Sequence, residues 1–153
     1  MLVEHGQTLE VKNVVSFRKN LPPAELQNSI DKILQYIGSC GAVKVNLVIS
    51  ATYAANETMI DVEVYVPIDK VISSTVEFIY KPRLYLTNCL KASHKGHPNH
   101  LGNTLKKLNE YIVERQLQPI SVVFIKNISE VNSVEEILLL EGDIYVSVSM
   151  NEI

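Results

Sequence analysis

Two stretches of the sequence carry one chemical pattern of acid, aliphatic, tyrosine and valine: Glu63-Val64-Tyr65-Val66 and Asp143-Ile144-Tyr145-Val146. In an extended chain successive side chains point to opposite faces. Acid and phenol therefore share one face in each stretch, and the aliphatic residues share the other. A carboxylate in a partly dry site is costly unless it is paired. A bound cation supplies that partner, and a tyrosine ring adds a cation–π attraction of about 0.5–2 kcal/mol. Glu63, Tyr65, Asp143 and Tyr145 are accordingly the candidate ligand-binding residues. Two other readings stay open. The same parity suits ordinary solvated residues on the wet face of an antiparallel sheet. A hydrolase would use Glu63 or Asp143 with Tyr145, and needs an acid of raised pKa beside a positioned water.

Other chemistry-bearing residues point elsewhere. His94, His97 and His100 recur every third position, but on a loop that spacing fixes no metal geometry, and no acid or thiol is placed to complete a site. They read as a loop and helix start, with an N-cap near Asn99. Ser93 and His94 are neighbours on an expected strand, so they face opposite ways and do not form a nucleophile–base pair. There is no glycine-rich phosphate loop or zinc signature. Cys40 and Cys89 lack ligand spacing and read as small apolar core residues. The expectation is a protein with no catalytic residue, no metal and no cofactor.

The elements that must position the candidates follow from periodicity. Leu26, Ile30, Ile33, Leu34 and Ile37 form one helical stripe. Pro22-Pro23 suits the turn before it, and Gly38 and Gly41 serve as stop signals. Leu101, Leu105, Leu108 and Ile112 form a second stripe, with Pro119 beyond its end. Strands are expected over Val11 to Phe17, Val45 to Tyr53, Ile60 to Val66, Arg83 to Ala92, Ile120 to Ile128 and Asp143 to Met150, with Asn56-Glu57-Thr58 as a hairpin turn. Each half then runs strand, helix, strand, strand. The fold class is α+β: two tandem units, at about residues 8–68 and 81–153 of one domain, forming a pseudo-twofold antiparallel sheet with both helices on one face. Parity sends Ile60, Val62, Val64 and Val66 toward a helix, with Asp61, Glu63 and Tyr65 on the open side. Likewise Ile144, Val146 and Val148 go inward, and Asp143, Tyr145 and Ser147 outward. The linking segment Asp69 to Tyr80 is apolar enough to cross the core, with a strand of its own. Residues 128–140 carry a loop and the dense apolar run Ile137 to Leu140, with no firm assignment.

Composition narrows the functions. The chain has 153 residues, is 46% hydrophobic and 20% charged, and carries a formal net charge of -3. That supports a globular core. Without a basic stripe it does not look like a nucleic-acid binder, whose affinity rests on phosphate neutralisation. Met1-Leu2-Val3-Glu4-His5-Gly6 has neither the basic start nor the apolar run of a signal peptide, and no stretch reaches the length of a membrane span. A cytoplasmic protein is expected.

Three pieces in order along the chain carry a resemblance. Glu63-Val64-Tyr65-Val66-Pro67-Ile68 ends the first half. Leu90-Lys91-Ala92-Ser93-His94-Lys95-Gly96 leads into the helix containing Leu105-Lys106-Lys107-Leu108-Asn109-Glu110-Tyr111-Ile112. Asp143-Ile144-Tyr145-Val146-Ser147-Val148 closes the second half. The chain resembles the GyrI-like family, related to the effector-binding domains of multidrug-responsive regulators such as BmrR and Rob. The resemblance implies a duplicated fold and a concave groove between the repeats that binds small cationic or aromatic molecules. It also implies an acid in the last strand's motif that contacts the ligand, here Asp143, one methylene shorter than the usual glutamate. Ser147 stands where proline is usual, and no tyrosine follows the His-x-Gly motif, which marks a divergent standalone member. The implied function is a small-molecule sensor, sequestering protein or regulator without its own DNA-binding domain. The alternative partner is a protein, held by the open sheet face or by the Ile137 to Leu140 run.

Overall fold

The stripe of Leu26, Ile30, Ile33, Leu34 and Ile37 forms the packed side of helix α1, Leu26–Ser39. One turn of 3-10 helix, Pro23–Glu25, leads into it. Proline suits that place because its φ is preset and its missing N–H has no partner to lose there. Of the two expected stop signals only Gly41 acts as one. Gly38 stays helical, whereas Gly41 adopts φ +75° and the Ala42 N–H donates back to the Ile37 carbonyl at 3.1 Å. A residue without Cβ takes that conformation at little cost. Helix α2, Leu101–Glu114, buries Leu108 and Ile112.

The computed structural model describes residues 2–95, 101–127 and 141–149. His97, His100, the expected cap at Asn99 and the apolar run Ile137 to Leu140 lie outside them. The strands are β1 Val3–Leu21, β2 Ile49–Ala55, β3 Ile60–Pro67, β4 Ile79–Lys95, β5 Gln118–Pro119, β6 Val123–Asn127 and β7 Glu141–Ser149. Two of them far exceed the expected spans: β1 begins at Val3 rather than Val11, and β4 at Ile79 rather than Arg83. β2 is shorter and starts at Ile49. Val45, expected within it, is exposed and donates its N–H to the Pro67 carbonyl at 3.0 Å. The Asn56 carboxamide accepts from the Thr58 and Met59 N–H groups at 2.9 and 2.8 Å, which makes the expected hairpin turn. The link ahead of β4 neither crosses the core nor forms a strand of its own. Val71 and Val76 are exposed, Ile72 is tucked in, and Phe78 stacks on Tyr36 with ring centroids 5.2 Å apart.

The chain divides into two compact units. One is continuous, Glu10–Tyr85; the other is discontinuous, Met1–Leu9 with Leu86–Ile153. Both divisions fall inside long strands, β1 and β4. In the continuous unit β3 is central, antiparallel to β1 from Val14↔Pro67 to Leu21↔Ile60 and to β2 from Ile49↔Tyr65 to Ala55↔Ile60. Val62, Val64 and Val66 of β3 join Phe17, Ile33 and Ile37 in its core. In the discontinuous unit β7 is central, antiparallel to β4, β6 and β5. Ile144, Val146 and Val148 of β7 join Leu90, Leu108 and Ile112. The fold class is α+β, and the inward parity of both aliphatic sets is as the alternation requires.

Asn13 in β1 and Asn88 in β4 adopt positive φ, 53° and 51°. Each is anchored by its side chain. The Tyr80 hydroxyl donates to Asn13 Oδ1 at 2.5 Å, and Asn88 Nδ2 donates to the Val148 carbonyl at 2.6 Å. Among the described residues no helix is long and apolar enough to cross a membrane.

Candidate ligand site

In the continuous unit the face of β3 turned away from the valines carries Asp61, Glu63 and Tyr65. Across the sheet Glu63 pairs with Arg18 of β1 and Ala51 of β2. The register of β2 shifts between Thr52 and Ala54, leaving Tyr53 as the extra residue of a bulge, and a bulge re-aims the side chain it carries. The Tyr53 hydroxyl donates to Glu63 Oε1 at 3.0 Å, and the Tyr65 hydroxyl donates to the same oxygen at 2.7 Å. Lys81 of β4 donates to Glu63 Oε2 at 3.1 Å, and its ammonium lies 5.1 Å from the centre of the Tyr65 ring. Beside this cluster Arg18 holds Asp61 through two hydrogen bonds of 3.1 and 3.0 Å, with its guanidinium 3.7 Å from the centre of the Tyr53 ring.

The Glu63 side chain is 13% exposed and Tyr65 only 3%. Burial by itself raises the Glu63 pKa, but hydrogen bonds from Tyr65 and Lys81, the Lys81 charge and the Tyr53 hydroxyl together hold the carboxylate below its ordinary range. Burial, and then Glu63 itself, push the Tyr65 phenol well above its ordinary value. A carboxyl group depressed in the folded state adds stability that is fully present above its unfolded value, near 4.5, and is lost as pH falls through the folded one. Melts taken downward from pH 6 should therefore show an acid loss of stability in the wild type that is smaller in Glu63→Gln. Parallel curves would exclude this linkage.

The discontinuous unit holds the second pair. Ser93 and Lys91 of β4 lie opposite Asp143 and Tyr145 of β7. The Ser93 hydroxyl donates to Asp143 Oδ1 at 3.1 Å; the Lys91 ammonium lies 3.6 Å from Asp143 Oδ2 and 5.8 Å from the centre of the Tyr145 ring. Asp143 is 15% exposed at its side chain and Tyr145 is 7% exposed. Burial raises the Tyr145 phenol, with Asp143 adding to the effect and Lys91 opposing it. His94 turns the other way, and its Nδ1 hydrogen-bonds to Thr104 Oγ1 of α2 at 2.8 Å. It is thus no partner for Ser93.

The structure brings Glu63 to Tyr65 and Asp143 to Tyr145, each pair within its own unit. It corrects the wet-face alternative, because both tyrosines are buried. Ser147, expected outward, is buried too and donates to the Thr87 carbonyl at 2.7 Å. Sequence reasoning missed Tyr53, Arg18 and both lysines. Lys91 sits two positions before Ser93 on one strand, so parity alone would have placed it beside the acid's cross-strand neighbour. The depressed Glu63 pKa is the reverse of what a hydrolytic general acid needs. Among the described residues no three His, Cys, Asp or Glu side chains converge as metal ligands. A surface hollow of about 440 Å³ at the end of α1 is lined by Cys40, Val71, Ile72 and Ser73, and by neither acid.

No protein-family model and no curated protein matches the chain. Solved structures do. EcmrR, in a complex with DNA, superposes with a TM-score of 0.79 at 16% identity over 97% of this chain and 58% of its own. The chain thus spans little more than half of that protein. The separate EcmrR C-terminal domain gives 0.73 at 15% identity, covering 97% of this chain and 99% of that one. A hydrolase from Listeria innocua gives 0.69 at 11% identity, covering 96% and 91%. SAV2435 bound to tetraphenylphosphonium gives 0.54 at 10% identity, covering 95% and 94%. At such identities the likeness is one of fold: the chain has the fold of the EcmrR C-terminal domain.

Proposed function

We propose that this protein is a small-molecule-binding module, a sensor or sequestering protein, that takes a cationic aromatic compound at its acid–tyrosine clusters. Glu63 with Tyr53 and Tyr65 supplies the principal contact, and Asp143 with Tyr145 a second. The observation that carries the reading is the Glu63 carboxylate: nearly enclosed, ionised at neutral pH, and oriented by two phenols that donate to one of its oxygens. The two phenols hold Glu63 Oε1 in place, so the carboxylate keeps its position when a positive charge meets its other oxygen. The fold is shared with SAV2435, whose structure holds the aromatic cation tetraphenylphosphonium. The Listeria innocua neighbour named a hydrolase shares only the fold, and the low pKa of Glu63 argues against that activity here.

Tetraphenylphosphonium is the probe for the test, titrated by calorimetry into wild type, Glu63→Gln and Asp143→Asn. Glu63→Gln should weaken binding roughly tenfold or more, which is about 1.4 kcal/mol, and Asp143→Asn by less. At about 100 times Kd the cation should stabilise the wild type by about 2.7 kcal/mol. Equal affinities in all three proteins would remove both carboxylates from the site.

A further inference from the structure

Glu63 already has a cation. Its Oε1 accepts from Tyr53 and Tyr65, and its Oε2 accepts from the Lys81 ammonium at 3.1 Å. Lys81 also stands 5.1 Å from the centre of the Tyr65 ring. It therefore makes the two contacts that an organic cation would make, with a carboxylate oxygen and with an aromatic ring. The neighbouring charges are balanced as well, since Asp61 accepts from Arg18 Nε and Nη2. A second cation beside this set would meet Lys81 as a like charge and Glu63 as an acid already paired.

We infer that Lys81 sets the affinity threshold of the Glu63 site: a tethered cation that a ligand must displace from Glu63 Oε2 in order to bind, so that only ligands with further contacts occupy the site. This inference rests on the proposal that Glu63 takes the ligand's charge. The components of the cluster differ in freedom. Tyr65 is buried and fixed, whereas the Lys81 side chain is 39% exposed and sits on a flexible four-carbon stem that can carry its ammonium into water. Displacement thus leaves the phenols in place and exposes the oxygen and the ring face that Lys81 had covered. A tether gives its ammonium an effective concentration on the order of millimolar, and each return costs side-chain rotamer entropy but not the translational entropy that a free ligand loses. A small ammonium compound offers nothing that Lys81 lacks, so it competes poorly. A bulky aromatic cation adds apolar contact, which a lysine head cannot supply, and so gains entry. The ligand class that follows is large, delocalised, aromatic cations, with small hydrated ones excluded by the protein's own side chain.

The test compares wild type, Lys81→Met and Glu63→Gln with two probes, tetraphenylphosphonium and tetramethylammonium. Lys81→Met keeps the stem and removes the charge. It should bind tetraphenylphosphonium about tenfold more tightly than wild type, and tetramethylammonium should gain by the same factor, because one tethered competitor is removed for both. Lys81→Gln serves the same purpose should Lys81→Met fail to fold. If the Lys81 variants bind no better than wild type while Glu63→Gln weakens binding, the displacement inference is overturned and the ligand reading stands. If Glu63→Gln leaves affinity unchanged as well, both are overturned.

Discussion

Ile33→Ala should lower the free energy of unfolding by about 2–5 kcal/mol, the range for removing a fully buried aliphatic branch and leaving a cavity. Ile33 is wholly inaccessible and lies among Phe17, Ile37, Val62, Val64 and Val66. Much of that wall is β-branched valine, which is stiff at χ1 and cannot swing in to refill the gap. The neighbouring stripe residues Leu26 and Ile30 are only half-buried, so their truncation should cost less. Urea titration is the measurement: the midpoint should fall while the slope is unchanged. For a chain of this size each kcal/mol also moves Tm by about 2–4 °C. A loss below about 1 kcal/mol would mean that α1 does not seat Ile33 as described.

Asn88→Ala should cost about 2–3 kcal/mol, from two sources that a second substitution separates. The left-handed backbone at φ 51° is unfavourable by roughly 1–2 kcal/mol for a residue with a Cβ and no polar side chain to compensate. The bond from Asn88 Nδ2 to the Val148 carbonyl at 2.6 Å contributes about 1 kcal/mol more. Asn88→Gly loses the second contribution and spares most of the first, so it should sit well above the alanine variant in a denaturant series. Asn13, with its carboxamide held by Tyr80 and its carbonyl accepting the Ile68 N–H at 2.8 Å, should give the same ordering. Equal stability of the glycine and alanine variants would show that backbone conformation is not what asparagine provides there.

Periodicity made the helices and their buried faces legible, because burial follows directly from which residues share a side. It also made the inward set of β3 and of β7 legible, and with it the face that each acid occupies. Partners were harder. Alternation tells which way Glu63 points but not what meets it, and Lys81 comes from a strand 18 positions further along. The tyrosine of the β2 bulge was assigned to a regular strand, since nothing in Ala51-Thr52-Tyr53-Ala54 announces an extra residue. Burial of the two motif tyrosines was not legible either, because an acid alternating with tyrosine has the look of a solvated face. The full length of β1 was hidden by the polar start Glu4-His5-Gly6-Gln7, and that of β4 by Pro82, a residue that usually ends a strand assignment. The two asparagines did leave a signal. Asparagine is depleted in strands and tolerates the left-handed region, so one placed within a β-branched run marks a bend.

The discontinuity of one unit bears on the order in which the protein can be assembled during synthesis. Residues Glu10–Tyr85 form a single run, and its strands and helix can join once that run has left the ribosome. The other unit needs Val3, which packs against the cluster of Leu90, Leu108 and Ile144, and it ties His5 to Tyr111 across 106 positions. Its central strand, Glu141–Ser149, is translated well over a hundred positions after Val3. Residues Val3 to Leu9 must therefore wait for partners made much later in the run. Closure over so long a separation carries an entropic cost and slows folding, which makes Val3 to Leu9 the natural handle for a chaperone while that unit is incomplete.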